Sequence, residues 1–579
     1  MRIKKRWAAL LLAVTLVCTQ GNMVMAKVAP DGKTTASGTE FDEWKTTVWD
    51  NIKNDWTFVS LTPGADETKM NFAWYSKNGE ATTLTYGQKS DLSDGVSVTV
   101  TSTATNQTDA MGIAYNSNKA TITGLKSNTV YYYRVSGKDI ESFKTGKTDS
   151  FTFAFVGDPQ IGSSNEMKAK KPEDLTDEFY LVQSNSVAND SYNWSNTLKK
   201  ALEKNPSVSF VVSAGDQIQT NAKKVQNTTV SEIEYVGYLS PEALTSLPVA
   251  TTVGNHDADN ANYQYHFNLP NQSTLGANSY VGGDYYFTYG NVLFMILNTQ
   301  DTEVAEHKEF IENTVAQNSD CVWKIVSLHQ DIYGSAEHSN EPEIVTLRYA
   351  LTPVFEENGI DVVLSGHDHA YSRSKFVTGN TQNKTITYTD DEFDEMLEKD
   401  IDAGENAQQL TIAPFNIKDN TTDEAEKKYL EYLKEIMDEE RIKEADNSVS
   451  NPLGILYLTA GSASGSKYYD LTGRCQSYVA NRWQEDVPTY SLIDVTENTL
   501  TVNTYRADTN EKIDETVTIA KAENSQEEDT KEDNKKEETT QTPSVPVMGD
   551  GTTALYVLLV LAGCCVFAFA LRKNGKERM

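Results

Sequence analysis

Cysteine is scarce in this chain: five residues in 579, with Cys18, Cys564 and Cys565 lying in or beside apolar stretches near the two ends. Only Cys321 and Cys475 remain for the body between them, which allows at most one disulfide. A disulfide-stapled fold is therefore excluded, and stability must come from an apolar core. Positive charge is also short, with 51 Lys and Arg against 83 Asp and Glu, a net charge of −32. Such a surface repels phosphate backbones and excludes stable binding to DNA or RNA, while leaving small anions held through metal ions open. Histidine is scarcer still relative to length, at seven residues, which makes its placement informative.

The ends read as targeting segments. Met1-Arg2-Ile3-Lys4-Lys5-Arg6 precedes an apolar run from Trp7, and Val24-Met25-Ala26 supplies a small-residue cleavage pattern, so 1–26 is expected to be a secretory signal peptide. Residues 554–571 form an uncharged apolar stretch, just long enough to cross a bilayer, and Arg572-Lys573 follow it as a stop-transfer segment requires. Gly563-Cys564-Cys565 inside it faces lipid or packing partners rather than a metal. Residues 523–542 are Glu, Asp, Lys, Thr and Gln with almost nothing apolar and cannot form a core. We assign 523–550 to a flexible stalk and 551–579 to a span with a basic tail. Thr542-Pro543-Ser544-Val545-Pro546-Val547-Met548-Gly549-Asp550 resembles a degenerate Gram-positive sorting signal, lacking its Leu and Thr. The expectation is a secreted protein anchored at the cell surface, through the membrane span or by attachment to the cell wall.

Between these ends the pattern changes once. Short runs rich in β-branched and aromatic residues at 82–86, 96–100 and 131–135, introduced by turn residues at 76–79 and 93–95, predict an all-β sandwich over 27–148. From 149 to 522 apolar strands alternate with helical patterns, which predicts an α/β body. Strands are expected at 151–156, 208–212, 292–296, 325–328, 361–364 and 455–458, and helical spacing at 194–202 and 303–315. An inserted lobe is expected at about 385–450, with a helix opening on Thr421-Thr422-Asp423-Glu424. Its face of Tyr429, Leu430, Leu433, Ile436 and Met437 either packs on the body or forms a lid.

Residues of metal-ligand type follow the predicted strands directly, mostly in glycine turns: Gly157-Asp158-Pro159-Gln160, Gly215-Asp216, Gly254-Asn255-His256-Asp257, His329, and Gly366-His367-Asp368-His369. A single Gly-Asp turn means little. Five such turns can converge, because strand ends gather at one edge of an α/β sheet. Four of the seven histidines fall in these turns, which is how a metal site is assembled. His266, His307 and His338 lie elsewhere and are expected at the surface or in packing.

This order, Asp, Gly-Asp, Gly-Asn-His-Asp, His, Gly-His-any-His, resembles that of the calcineurin-like metallophosphoesterases. His329-Gln330-Asp331-Ile332-Tyr333 and Gly366 to Arg373 look closest to the purple acid phosphatases, and Val59 to Gly64 with Met70 to Tyr75 resemble their fibronectin type III-like N-terminal domain. The resemblance implies a four-layer α/β/β/α metallophosphoesterase sandwich preceded by an all-β domain. It implies two metal ions, with Asp158 and His369 on the first, Asn255, His329 and His367 on the second, and Asp216 bridging both. The purple family's iron-binding Tyr is replaced by Gln219, which argues against a tyrosinate-bound ferric ion; Gln160 stands where many relatives carry His and offers an amide oxygen to a metal or to a water. A mixed N/O site of this kind suits zinc, manganese or iron, as divalent or mixed-valence ions.

The implied chemistry is hydrolysis by in-line displacement at phosphorus, with two cations about 3.5–4 Å apart activating water. His256 would serve as acid or base with Asp257 orienting its ring. Tyr333 and Arg373 would reach the substrate or else pack. The expected activity is that of an acid-phosphatase-like phosphomonoesterase on small phosphorylated compounds. A phosphodiesterase or nucleotidase is the alternative on the same site. An adhesin with a decayed metal site is the alternative of another class.

Overall fold

Alternation of side chains along the central strands sets the layers of the body. In Ser150–Val156, Phe151, Phe153 and Phe155 enter one core while Ala154 and Val156 enter another. Val292–Ile296 divides likewise, with Val292, Phe294 and Ile296 opposite Leu293 and Met295. A strand covered on both faces must be apolar throughout, which is why these runs lack a polar alternation. The Phe151 and Phe294 sets meet between two sheets. The Ala154 set packs on the helix Asp177–Lys204 through Val187, Trp194 and Leu198. The Leu293 set packs on Val304–Gln317 and Pro342–Glu357 through Phe310, Ile311, Leu351 and Phe355. The result is the expected helix–sheet–sheet–helix sandwich.

The computed structural model describes residues 32–521 apart from 166, 278–279, 380–384, 408–421 and 445. The expected leader (1–26), acidic stalk (523–550) and membrane span with its tail (551–579) lie outside the described residues, and among the described residues no helix is long and apolar enough to cross a membrane. One sheet runs Val249–Thr251, Val208–Ser213, Ser150–Val156, Thr489–Thr496, Thr499–Arg506, Val517–Ala520, Ser448–Ser450, and its first three strands are parallel. The other runs Tyr285–Tyr289, Val292–Ile296, Trp323–Ser327, Val362–Ser365, Leu456–Thr459, Tyr371–Ser374, Val479–Trp483, with the second to fifth parallel.

The N-terminal sandwich consists of two four-stranded sheets, Val59–Pro63, Lys69–Lys77, Ala114–Thr123, Thr101–Thr108 and Val96–Val98, Leu84–Gly87, Val130–Val135, Glu141–Lys144. Phe72, Trp74, Leu84, Ile122, Tyr133 and Phe143 fill it. Residues 32–56 depart from the expected boundary. They strap across the body instead: Trp49 is buried in the same core as Trp194, Trp44 lies 5.4 Å from Tyr192, and Ala36 N–H donates to Asn189 Oδ1 at 2.7 Å. The sandwich closes its own core without these residues, so their tryptophans are buried elsewhere.

The inserted lobe holds helices Asp390–Ala407 and Glu424–Ile436, the second capped by Asp423, which accepts from Ala425 N–H and Glu426 N–H. Tyr429, Leu433, Ile436 and Met437 pack with Phe393 and with Val345 and Tyr349 of Pro342–Glu357. Of the two expectations for this face, packing on the body is the one the contacts describe.

Sandwich and body are clamped through one buried histidine. His266 lies between the rings of Tyr75 (4.5 Å) and Tyr235 (4.0 Å), its Nε2 2.9 Å from Glu232 Oε2. Tyr75 OH and Asn262 Nδ2 donate to Glu232 Oε1 at 3.1 and 2.6 Å. Removing the carboxylate strands three donors in a dry interface, so Glu232→Ala is expected to cost about 3 kcal/mol in denaturant unfolding. It is also expected to expose the sandwich to limited proteolysis at its junction, and wild-type stability would show the clamp to be idle.

Candidate metal centre

Each predicted ligand follows the carboxyl end of a parallel strand. Asp158, Asp216 and Asn255 come from one sheet, after Ser150–Val156, Val208–Ser213 and Val249–Thr251; His329, His367 and His369 come from the other, after Trp323–Ser327 and Val362–Ser365. The two sheets thus present their residues to one place. Asp158, Asp216 and His329, all buried, offer ligand atoms within 4.8 Å of one another. His369 Nε2 lies 3.6 Å from Asp158 Oδ1, and His329 Nε2 lies 3.6 Å from Asp216 Oδ2.

Backbone carbonyls fix the imidazole tautomers. His329 Nδ1–H donates to Ala214 O at 2.9 Å, His369 Nδ1–H to Lys467 O at 2.9 Å, and His256 Nδ1–H to Gln219 O at 2.8 Å. A carbonyl only accepts, so in each neutral ring the proton is on Nδ1 and Nε2 carries a lone pair, the arrangement that metal-binding histidines use. Asn255 Oδ1 stands 3.1 Å from His329 Nε2, and His367 Nδ1 stands 3.2 Å from it. Lone pairs of Asn255 and His329 therefore face each other with no proton between them. Acceptors facing each other in this way suit a cation, and His367 Nδ1 beside them adds a third lone pair in the tautomer that carries its proton on Nε2.

The electrostatics agree. Burial first, then repulsion from Asp216, pushes Asp158 far above the carboxylate range, and burial pushes Asp216 up to about 7. Burial pushes His329 down to about 4 and holds His367, His369 and His256 well below the usual imidazole value. Neutral imidazoles and crowded, buried carboxylates fit a pair of cations, which would reverse the carboxylate shifts. Gln160 and Gln219 are buried, and the amide oxygens of both meet no donor among the described residues. Gln160 Oε1 thus keeps a lone pair free, as its expected role needs.

Tight turns aim these groups. Asp158, Gln160, Asp216, His367 and His369 adopt φ of 45°, 36°, 48°, 70° and 51°, a left-handed conformation that costs about 1–3 kcal/mol per non-glycine residue. The neighbouring glycines give the ligands room. A Cβ on Gly254 would overlap Asp216 Oδ1, one on Gly215 would overlap His329 Nδ1, and one on Gly366 would lie 2.5 Å from Asp158 Oδ2.

Three expected roles are corrected. Asp257 does not orient His256: its carboxylate accepts from Gly254 N–H and Gln217 N–H at 3.0 Å each and from Gln217 Nε2 at 3.1 Å, tying two ligand turns together. Tyr333 is buried away from the ligands, donating to Asp438 Oδ2 at 3.1 Å beneath the guanidinium of Arg348. Arg373 is committed to Asp514 through Nε and Nη2 at 2.6 and 3.1 Å, and Tyr371 OH donates to the same carboxylate at 2.7 Å. The motif positions of Tyr333, in a turn, and Arg373, in Tyr371–Ser374, do not reveal that these side chains point inward.

His338 is the residue that sequence reading missed. Its ring lies 4.6 Å from that of His367, and its Nδ1 lies 2.6 Å from Glu341 Oε1. Asp368 brings it there, accepting from Ala336 N–H at 2.6 Å and His338 N–H at 2.9 Å. No strand end or glycine precedes His338, so only its spacing from His329 could have signalled it. His266 and His307 are buried packing residues, with His307 Nδ1 2.8 Å from Asp284 Oδ2.

Two predictions follow from this geometry. Gly254→Ala is expected to weaken metal binding at least about tenfold while leaving the circular dichroism spectrum intact, read by metal analysis after dialysis. Burial raises the Asp514 carboxyl, but Arg373, Tyr371 and Asn481 more than offset this and hold it below its usual value. A lowered folded pKa contributes stability above the unfolded value, about 3.9, that is lost as pH falls through the folded value. Asp514→Asn should therefore be less stable by about 3 kcal/mol at pH 7, with the gap narrowing in acid, measured by denaturant titration at several pH values.

Residues 151–371 match the calcineurin-like phosphoesterases, and residues 57–155 match the N-terminal domain of the purple acid phosphatases. Purple acid phosphatase 15 of Arabidopsis thaliana is 23% identical over 284 residues, 44% of this chain and 49% of that protein. Purple acid phosphatase 1 of Ipomoea batatas is 26% identical over 287 residues, 47% of this chain and 55% of that protein. The chain spans about half the length of these relatives. The solved structure of a purple acid phosphatase from yellow lupin (Lupinus luteus) seeds is similar with a TM-score of 0.49 at 14% identity, covering 80% of this chain and 74% of that one. The chain thus carries a calcineurin-like phosphoesterase domain over 151–371 and, ahead of it, a domain over 57–155 that matches the N-terminal domain of the purple acid phosphatases.

Proposed function

We propose that the chain hydrolyses phosphate monoesters at a dinuclear metal centre. The observation that carries this reading is the meeting of unprotonated acceptors, Asn255 Oδ1 and His329 Nε2, beside two buried carboxylates. The purple acid phosphatases among its relatives support it. Asp158 and His369 would hold one ion, Asn255, His329 and His367 the other, with Asp216 shared. Bound cations supply Lewis acidity, which makes water nucleophilic near neutral pH and offsets charge growing on the phosphoryl oxygens. Zinc, manganese and iron all suit this donor set. We place the activity outside the membrane, on the strength of the leader-like and span-like ends of the sequence.

The chain's own residues handle the proton. His256 keeps its Nδ1 proton on Gln219 O and turns Nε2 to the substrate as a neutral hydrogen-bond partner. His338, set against His367 with Nδ1 engaged by Glu341, presents Nε2 to the leaving oxygen and is the better placed proton donor. Asp368 positions it.

The purified protein is expected to turn over p-nitrophenyl phosphate only with metal bound, losing activity on chelation and regaining it on adding zinc, manganese or iron. No metal-dependent turnover would overturn the reading, and preference for the bis-p-nitrophenyl diester would reassign it to the diesterases. His338→Ala and His256→Ala are each expected to lower kcat/KM by about 10²-fold or more while retaining metal. Loss of metal from either variant would make that histidine a ligand instead.

A further inference from the structure

Residues 32–36 reach the metal centre from behind. Gly32, Thr34 and Ala36 are half-buried while Lys33 and Thr35 are exposed, the period of two of an extended segment. Asn189 and Asn193 of the helix Asp177–Lys204 both donate to Thr34 O at 3.1 Å, and Ala36 N–H donates to Asn189 Oδ1. These bonds anchor the segment to the body.

Its remaining contacts fall on residues 462–468, a loop that backs the ligands assigned to one ion. Ser462 Oγ donates to Asp158 O at 3.1 Å, Ala463 N–H to Gly157 O at 2.8 Å, and Ser464 Oγ to Pro159 O, so the loop supports the Asp158 turn. Lys467 O supports His369 by accepting its Nδ1–H. On the outer side, Thr34 N–H donates to Gly465 O at 2.7 Å. The Thr34 hydroxyl donates to Asp486 O at 3.0 Å and therefore accepts from Tyr468 OH at 2.6 Å. Gly465, at φ 64°, leaves room for this docking, since a Cβ there would overlap Thr34 Oγ1.

Tyr468 N–H completes the set, donating to Gly32 O at 2.9 Å. That N–H and the carbonyl of Lys467 belong to one planar peptide unit and point opposite ways. One end of the unit holds His369 and the other is held by Gly32, so rotating the unit breaks both bonds. A bond at the N–H also polarises the carbonyl, which strengthens its grip on Nδ1–H and the basicity of Nε2.

We infer that residues 32–36, with Thr34 as the anchor, position the ligands of the ion assigned to Asp158 and His369, and not those of the ion assigned to Asn255, His329 and His367. The assignment rests on the dinuclear reading. Calorimetric titration of the metal-stripped full chain with zinc tests it. Thr34→Pro removes the N–H and the hydroxyl, while Asn189→Ala with Asn193→Ala frees the opposite side of the segment without touching the loop. Faster hydrogen exchange at Tyr468 N–H reports release. Both variants are expected to weaken one of two zinc ions by about tenfold and to leave the other within about twofold. Thr34→Pro should still weaken the ion retained by Asn255→Ala and leave unchanged the ion retained by His369→Ala. Glu232→Ala, altered at the remote clamp, should keep both affinities, which separates positioning from general loss of stability. Unchanged affinities, equal weakening of both ions, a loss shared by Glu232→Ala, or a Tyr468 N–H that exchanges no faster in either variant would overturn the role of the segment. Fewer than two zinc ions on the wild type would overturn the dinuclear reading, and the division of labour between ions with it.

Discussion

Lone pairs that face each other in a largely buried space are unfavourable unless something positive lies between them, and this constraint organises the edge where the two sheets present their residues. Ala214, Lys467 and Gln219 take the Nδ1 protons of His329, His369 and His256, so each ring has only one nitrogen left to offer. The price is backbone strain, with five residues of the ligand turns in the left-handed region. That strain, and the crowding of buried carboxylates, is tolerable because the turns grow from two sheets packed across an aromatic core. Phe153 stacks on Phe210 at 5.5 Å and meets Phe294 edge-on at 5.2 Å directly behind them. Cations that bind the folded chain and not the unfolded one would return stability to the same place.

The sandwich between the sheets also explains why a site split between them is possible. Thr252 and Ser327, one from each sheet, share a hydrogen bond at 2.7 Å just below the ligands. Asp158, further up, accepts from His367 N–H of the opposite sheet at 2.9 Å. Small displacement of one sheet against the other would alter both, so the apolar core fixes distances in the site as well as stability.

Much of this was legible in the sequence, for a physical reason in each case. Strands covered on both faces read as unbroken apolar runs, and the glycines that follow them mark places where a Cβ would strike a carboxylate or an imidazole, as at Gly254 and Gly215. What was not legible is direction. Tyr333 and Arg373 sit in motif-like positions, yet the first lies under Arg348 and the second on Asp514, more than a hundred residues later in the chain. Asp257 follows His256 but binds the backbone of Gly254 and Gln217. His338 has no local signature at all, since a tertiary contact to Asp368 places it. Residues 32–56 have weak periodicity, and the partners of Ala36, Trp44 and Trp49 show which unit they join.

The inserted lobe is tied to the loop that bears His338. Arg348 donates to the carbonyls of Ile332, Ser339 and Ile436, the last at 3.1 Å and belonging to the lobe. Asp438, held at φ 50° just beyond the lobe's second helix, accepts from Tyr333 at 3.1 Å and Tyr349 at 2.9 Å. One end of this network is the lobe and the other is the segment from His329 to Ser339, which carries a ligand and the proposed proton donor. A buried guanidinium with three carbonyl partners and two facing tyrosine rings ties the described part of the lobe to that segment. The lobe thus shares buried partners with the segment that ends at His338, which Asp368 sets against His367.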